Sequence, residues 1–157
     1  VSTPDDHAVT GDGAGPTRVS AVVAAPVETV MGVIADFAAY PGWTDSVREA
    51  EVLSTGADGR PERVRFELDA GPVEDEYVLV YSWSADGRVV EWRLESSRLQ
   101  RRQTGSYRLT PVEGGTEVVY ELEVELTVPV IGRVRSRAER RIVGIALSEL
   151  ARRAEGR

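Results

Sequence analysis

The 157-residue chain contains no cysteine, no asparagine and a single histidine, and all 19 of its basic residues are arginine. Without cysteine there is no disulfide, no thiolate metal site and no Cys/His nucleophile. The one histidine, His7, lies in an opening stretch of Gly, Pro, Asp, Ser and Thr with little apolar content. It offers no base for a Ser/His/Asp arrangement and no metal ligand. No set of His and carboxylates has metal-ligand spacing, so neither metal nor cofactor is expected. The Gly114-Gly115 pair sits in a hairpin rather than at a strand-to-helix turn, which excludes a phosphate loop. No run of about 18 apolar residues exists, so stable membrane insertion is not expected. The N-terminus lacks the basic start and apolar stretch of a signal peptide, and a cytoplasmic location is the expectation. Missing asparagine and all-arginine basicity are the pattern of high-GC coding, so arginine here does not by itself indicate chemistry.

The composition is that of a globular domain, with 41% hydrophobic and 29% charged residues. The net charge of −7 argues against nucleic acid as a partner. That charge is uneven. Residues 129–157 hold 8 Arg and 3 Glu, net +5, which leaves −12 on the rest. Such a basic segment is either a solvated face or an interaction surface.

Residues 1–16 read as a flexible leader and 17–157 as one domain. Arg18 to Ala24 alternates as a first strand. Pro26 and Glu28 open a helix that carries Val27, Val30, Met31 and Ile34 through Phe37. Pro41 and Gly42 break it, leaving Tyr40 and Trp43 on a short second turn. The period then changes to two. Strands are expected over 47–54, 62–69, 73–84, 89–95, 99–110 and 116–128, separated by turns such as Asp58-Gly59, Gly71-Pro72 and Asp86-Gly87. From Pro129 to Ala154 the spacing turns helical, with Ile131, Val134, Ala138, Ile142 and Ile145 on one stripe and Arg133, Arg137 and Arg140 opposite. The fold class is α+β: a curved seven-stranded antiparallel sheet wrapped around a long C-terminal helix, with two short helices after strand 1.

This order, together with Ala24-Ala25-Pro26-Val27-Glu28 through Asp36-Phe37-Ala38-Ala39-Tyr40-Pro41-Gly42-Trp43, resembles the START-like (SRPBCC) superfamily and its polyketide cyclase/dehydrase branch. The resemblance covers about residues 17–154 and implies the helix-grip fold. It also implies a cavity between sheet and helix for an apolar or amphipathic guest. The branch includes aromatases, cyclases, and lipid and quinone carriers, so fold alone does not assign chemistry.

The chain has ten aromatic residues. Phe66, Tyr77, Tyr81, Trp83, Trp92, Tyr107 and Tyr120 all fall on the inward face of their strands. They either fill the space beneath one helix or fence a cavity. Alternation from Leu99 to Leu109 also turns Arg101 and Gln103 inward, unless Gly105 marks a bulge that flips the register. Val134, Ala138 and Ile142 complete the candidate lining from the helix. Arg135 and Arg141 flank the stripe, either reaching the cavity edge or turning out to water. Glu149 is read as a rim residue or the partner of an Arg, and Asp75 as a solvated residue beside a turn. No catalytic residue is assigned. The expected function is binding of a hydrophobic small molecule, a lipid, quinone or polyketide-like compound, as carrier or sequestering protein. The alternatives are a polyketide cyclase or dehydratase using Tyr77, Tyr107, Arg101 or Gln103, and a protein-interaction module using the Arg-rich helix face. A homodimer is left open.

Overall fold

The computed structural model describes residues 15–70, 73–128 and 132–157. Most of the opening leader stretch, and the helix positions Pro129 and Ile131, lie outside the described residues, as do the side chains of Arg133, Val134, Arg135 and Ala138. Seven strands form one sheet: β1 (Thr17–Val23), β2 (Val47–Thr55), β3 (Pro61–Ala70), β4 (Val73–Trp83), β5 (Val89–Ser97), β6 (Gln100–Val112) and β7 (Gly115–Leu126). Two α-helices accompany them, α1 (Val27–Ala35) and α2 (Gly132–Ala154), with a 3₁₀ helix at Phe37–Gly42. The spatial order is β1-β7-β6-β5-β4-β3-β2, and the pairs are antiparallel. Five sequence-adjacent strand pairs are neighbours. Only the passage from β1 to β2 crosses from one sheet edge to the other, and α1 with the 3₁₀ helix makes that crossing.

Helix α1 ends earlier than its apolar spacing predicts. Asp36 leaves the helical region at ψ 71, so Phe37 starts the 3₁₀ helix instead of finishing α1. Helix α2 lies against β1, β7 and α1. Its buried stripe is Glu139, Val143, Leu147 and Leu150. The predicted stripe is one residue out of phase, about 100° around the helix. Ile142 and Ile145 are 54% and 49% exposed. The reason is polar. Val124 lies past the last β1–β7 pair, Thr17 with Leu122, and its N–H donates to Glu139 Oε2 at 3.0 Å. A Glu on the buried face disguises that face in a count of apolar residues.

The C-terminal end of α2 is pinned to the start of the crossing. Glu155 Oε2 accepts the Ala24 N–H at 2.8 Å, and Thr116 Oγ1, fully buried on β7, donates to the Ala25 carbonyl at 2.7 Å. The helix stops at Gly156, whose φ of 76° suits the left-handed position that ends many helices.

The two faces of the sheet differ in kind. The convex face carries cross-strand ion pairs. Arg65 meets Glu49, Glu51 and Glu67 at 2.7, 3.1 and 3.0 Å, Arg63 meets Glu95 at 2.6 Å, and Arg48 meets Asp69. The concave face carries the aliphatic core and the rings. Gly105 belongs to the concave side and does not flip the register. It pairs with Trp92, and the indole lies over it where a Cβ would intrude on the ring. The register shift in β6 falls earlier, between Gln100 and Arg102. Asp75, expected to be solvated, is only 4% exposed. Its carboxylate accepts from Ser97 Oγ at 2.6 Å, Gln100 Nε2 at 3.1 Å and the Arg98 N–H at 3.2 Å, which closes the β5–β6 turn.

Replacing Gly105 by Ala drives a methyl into Trp92. The substitution is expected to cost about 1–3 kcal/mol, seen as a lower urea midpoint together with a shifted tryptophan emission.

Candidate functional site

Helix α2 covers the β1–β7 side of the concave face. The rest is closed by side chains, and Phe37 is the largest fully buried one at 1% exposure. Its ring centroid lies 5.2 Å from Tyr40, 5.9 Å from Phe66, 4.8 Å from Tyr81 and 6.3 Å from Trp83. In a 3₁₀ helix, side chains three apart eclipse. Phe37, Tyr40 and Trp43 therefore stand in one row, with Tyr40 and Trp43 centroids 4.9 Å apart. A second row runs across the sheet through Tyr81, Trp92, Tyr107 and Tyr120, the last two 4.4 Å apart.

Between these rows lies a cavity of about 140 Å³. Its lining includes Tyr40, Tyr77, Tyr81, Tyr107 and Tyr120, so every tyrosine of the chain reaches it. Phe66, Trp43, Trp92, Leu68 and Leu79 supply apolar wall. Thr44, Ser46 and Val47, at the start of β2, and Ile142 and Ala146 of α2 complete it. The rim is tied across this boundary. Thr44 Oγ1 donates to Glu149 at 2.9 Å, and the Asp45 N–H donates to the other oxygen at 3.3 Å. Glu149 therefore holds a loop, not an Arg. A wider hollow of about 370 Å³ beside Glu76, Ser97 and Arg98 shares only Tyr77 with the concave pocket.

The predicted lining divides as follows. Phe66, Tyr77, Tyr81, Trp92, Gln103, Tyr107, Tyr120 and Ile142 are at the cavity. Trp83 is not among the lining residues. It sits at the end of β4, where its Nε1–H donates to the Pro61 carbonyl at 2.7 Å and Arg60 lies over its ring. Arg101 does not point inward. The shift at Gln100/Arg102 turns it to the convex side, where it is 65% exposed and meets Glu125 at 3.3 Å. The side chains of Val134 and Ala138 lie outside the described residues. Arg137, Arg140 and Arg141 are exposed. Sequence reasoning missed Tyr40, Trp43, Thr44 and Ser46 as lining residues. The spacing of three through Phe37, Tyr40 and Trp43 is the signal that would have placed the first two.

Among the described residues, the lining has no carboxylate, imidazole or cation. Its polar atoms are phenols, hydroxyls, an amide and indole N–H groups. Burial pushes the Tyr81 and Tyr107 phenols well above the ordinary value, and it raises Tyr40, Tyr77 and Tyr120 as well. Tyr40 Oη is committed, donating to the Ile34 carbonyl at 2.5 Å. The Gln103 amide makes no hydrogen bond among the described residues, although Gln103 is only 9% exposed. The Trp43 and Trp92 Nε1 atoms are buried and also without a partner there.

The model of one family, described as polyketide cyclase/dehydrase and lipid transport, matches residues 16–155. The chain belongs to this family. Its fold is shared with a START superfamily protein from Mycobacterium smegmatis at 24% identity, a TM-score of 0.76, and coverage of 90% of this chain and 95% of that one. A protein from Thermus thermophilus superposes with a TM-score of 0.78 at 21% identity, covering 88% and 96% of the two chains. An aromatase/cyclase from Streptomyces sp. R1128 is similar with a TM-score of 0.71 at 19% identity, covering 89% and 93%. At these identities the likeness establishes fold alone. None of the curated proteins compared with the chain matches it. Among the described residues, no helix is long and apolar enough to cross a membrane. The family model thus gives the membership, and the neighbours give the fold.

The raised phenols carry a pH signature. Folding favours the protonated form, so their contribution to stability is complete below the unfolded value of about 10 and fades as pH rises beyond it. Native protein at about pH 11 is expected to show little tyrosinate absorbance. Tyrosinate should appear together with loss of the near-ultraviolet circular dichroism signal. Five phenols titrating near their ordinary value in folded protein would contradict this burial.

Proposed function

We propose that this chain binds a hydrophobic or amphipathic small molecule in the cavity between the ring-bearing sheet face and α2, as a carrier or sequestering protein. One observation carries the reading. Five tyrosines, two tryptophans and Gln103 converge on a single hollow, and several of their polar atoms have no partner among the described residues. Buried polar groups are ordinarily hydrogen-bonded, so unpaired ones at a cavity wall are explained by a guest or by water. Apolar walls with a few polar tips are also the usual composition of a small-molecule site.

Binding is favoured over cyclisation by the chemistry of the lining. Acid–base work at neutral pH needs a group able to exchange a proton there. Among the described lining residues the titratable groups are phenols, and burial raises all of them. Such phenols donate hydrogen bonds and orient a guest.

Native mass spectrometry should detect a saturable one-to-one adduct when the chain is offered phenols, quinones, isoprenoids, fatty acids and aromatic polyketides in turn. Ala146→Phe places a ring in the cavity from α2 and is expected to abolish that adduct. Absence of any saturable adduct across the classes would defeat the reading, as would undiminished binding by a folded Ala146→Phe variant.

A further inference from the structure

The cavity holds about 140 Å³. That is well below the roughly 300–1,000 Å³ of drug-sized sites and close to the about 150 Å³ of an engineered apolar cavity known to take benzene. It is room for one six-membered ring with a small substituent. A fused-ring skeleton or a long acyl chain does not fit without moving Phe66, Trp92 or Tyr120, and these are held in the ring rows. The described walls also select by charge. A buried carboxylate needs a cation or several donors to offset lost hydration. No Arg is among the described lining residues, because Arg101 is turned outward to Glu125.

Gln103 supplies the third constraint. It is nine-tenths buried, it lines the cavity, and its amide has no partner among the described residues. A side-chain amide offers two N–H donors and a carbonyl acceptor. A guest that leaves it unpaired forgoes the hydrogen bonds that would offset its burial.

Resting on the reading of this cavity as a binding site, we infer that its ligand is an uncharged single-ring compound whose ring edge carries a carbonyl or amide that pairs with Gln103. Lipids and multi-ring polyketides are thereby disfavoured as guests of this chain. The ring stacks among Phe66, Trp92 and Tyr107, and its polar edge meets the amide. Ile142, at the helix side of the lining, is 54% exposed.

The test is titration of the full chain, by tryptophan fluorescence and calorimetry, with benzamide, phenol, benzoate, dodecanol and a neutral hydroxylated anthraquinone. Benzamide should bind saturably, and phenol, which fits the space but lacks the carbonyl, more weakly. Benzoate, the charged isostere of benzamide, should bind at least about tenfold more weakly. Dodecanol and the anthraquinone should show no saturable binding. Gln103→Leu should weaken benzamide by about tenfold while leaving the melting temperature unchanged or higher, since a leucine adds apolar wall where the amide makes no hydrogen bond. Tighter binding of dodecanol or the anthraquinone would overturn the size inference and leave the cavity a binding site. Equal affinity for benzoate and benzamide would overturn neutrality. Unchanged benzamide affinity in Gln103→Leu would remove the role of the amide. Failure of every probe would bring down the binding reading itself.

Discussion

Phe37 is the contact on which the concave face depends. It starts the 3₁₀ helix after α1 and stands within 4.8 to 6.3 Å of four other rings, measured between centroids. One of them, Tyr40, belongs to its own turn. Phe66 comes from β3, and Tyr81 and Trp83 from β4. The crossing from β1 to β2 is thereby anchored to the middle of the sheet. Ring pairs add about 0.5–1.5 kcal/mol each beyond the area they bury, so this one residue couples the crossing to the far half of the fold. The cavity lies just beyond it, bounded by the same Tyr40, Phe66 and Tyr81.

The distribution of charge follows from the same curvature. Strand alternation sends Arg and Glu to the convex side, where they pair in water. Exposed pairs of this kind contribute about 0–1 kcal/mol each. Their larger consequence is negative. With Arg63 and Arg65 of β3 and Arg101 and Arg102 of β6 paired with glutamates outside, the described part of the cavity is left neutral. Polarity at the described lining is confined to phenols, hydroxyls, an amide and indole N–H groups, and this narrows what the site can hold and do.

Much of the fold was legible in the chain. Period-two runs such as Val118, Tyr120, Leu122 and Val124 identified strands and their inward face, because side chains alternate whatever the partner strand. Turn residues such as Asp86-Gly87 placed the hairpins. The inward set of rings could be read in the same way, and of the seven predicted inward aromatics only Trp83 lies off the cavity. Arg101 was misplaced for a different reason. A register shift near a strand end reverses one side chain without changing the local sequence pattern, and Asp75 was misjudged because its three donors come from the β5–β6 turn.

The sequence by itself determined the elements, the inward sides of most strands and the family, since these depend on residues near one another along the chain. Tertiary structure alone decided three things. It chose which stripe of α2 is buried, through the pairing of Glu139 with the free N–H of Val124. It turned Arg101 outward. It set the hollow at about 140 Å³. Each is settled by where two distant surfaces meet, and a linear pattern encodes a face without encoding what that face is pressed against.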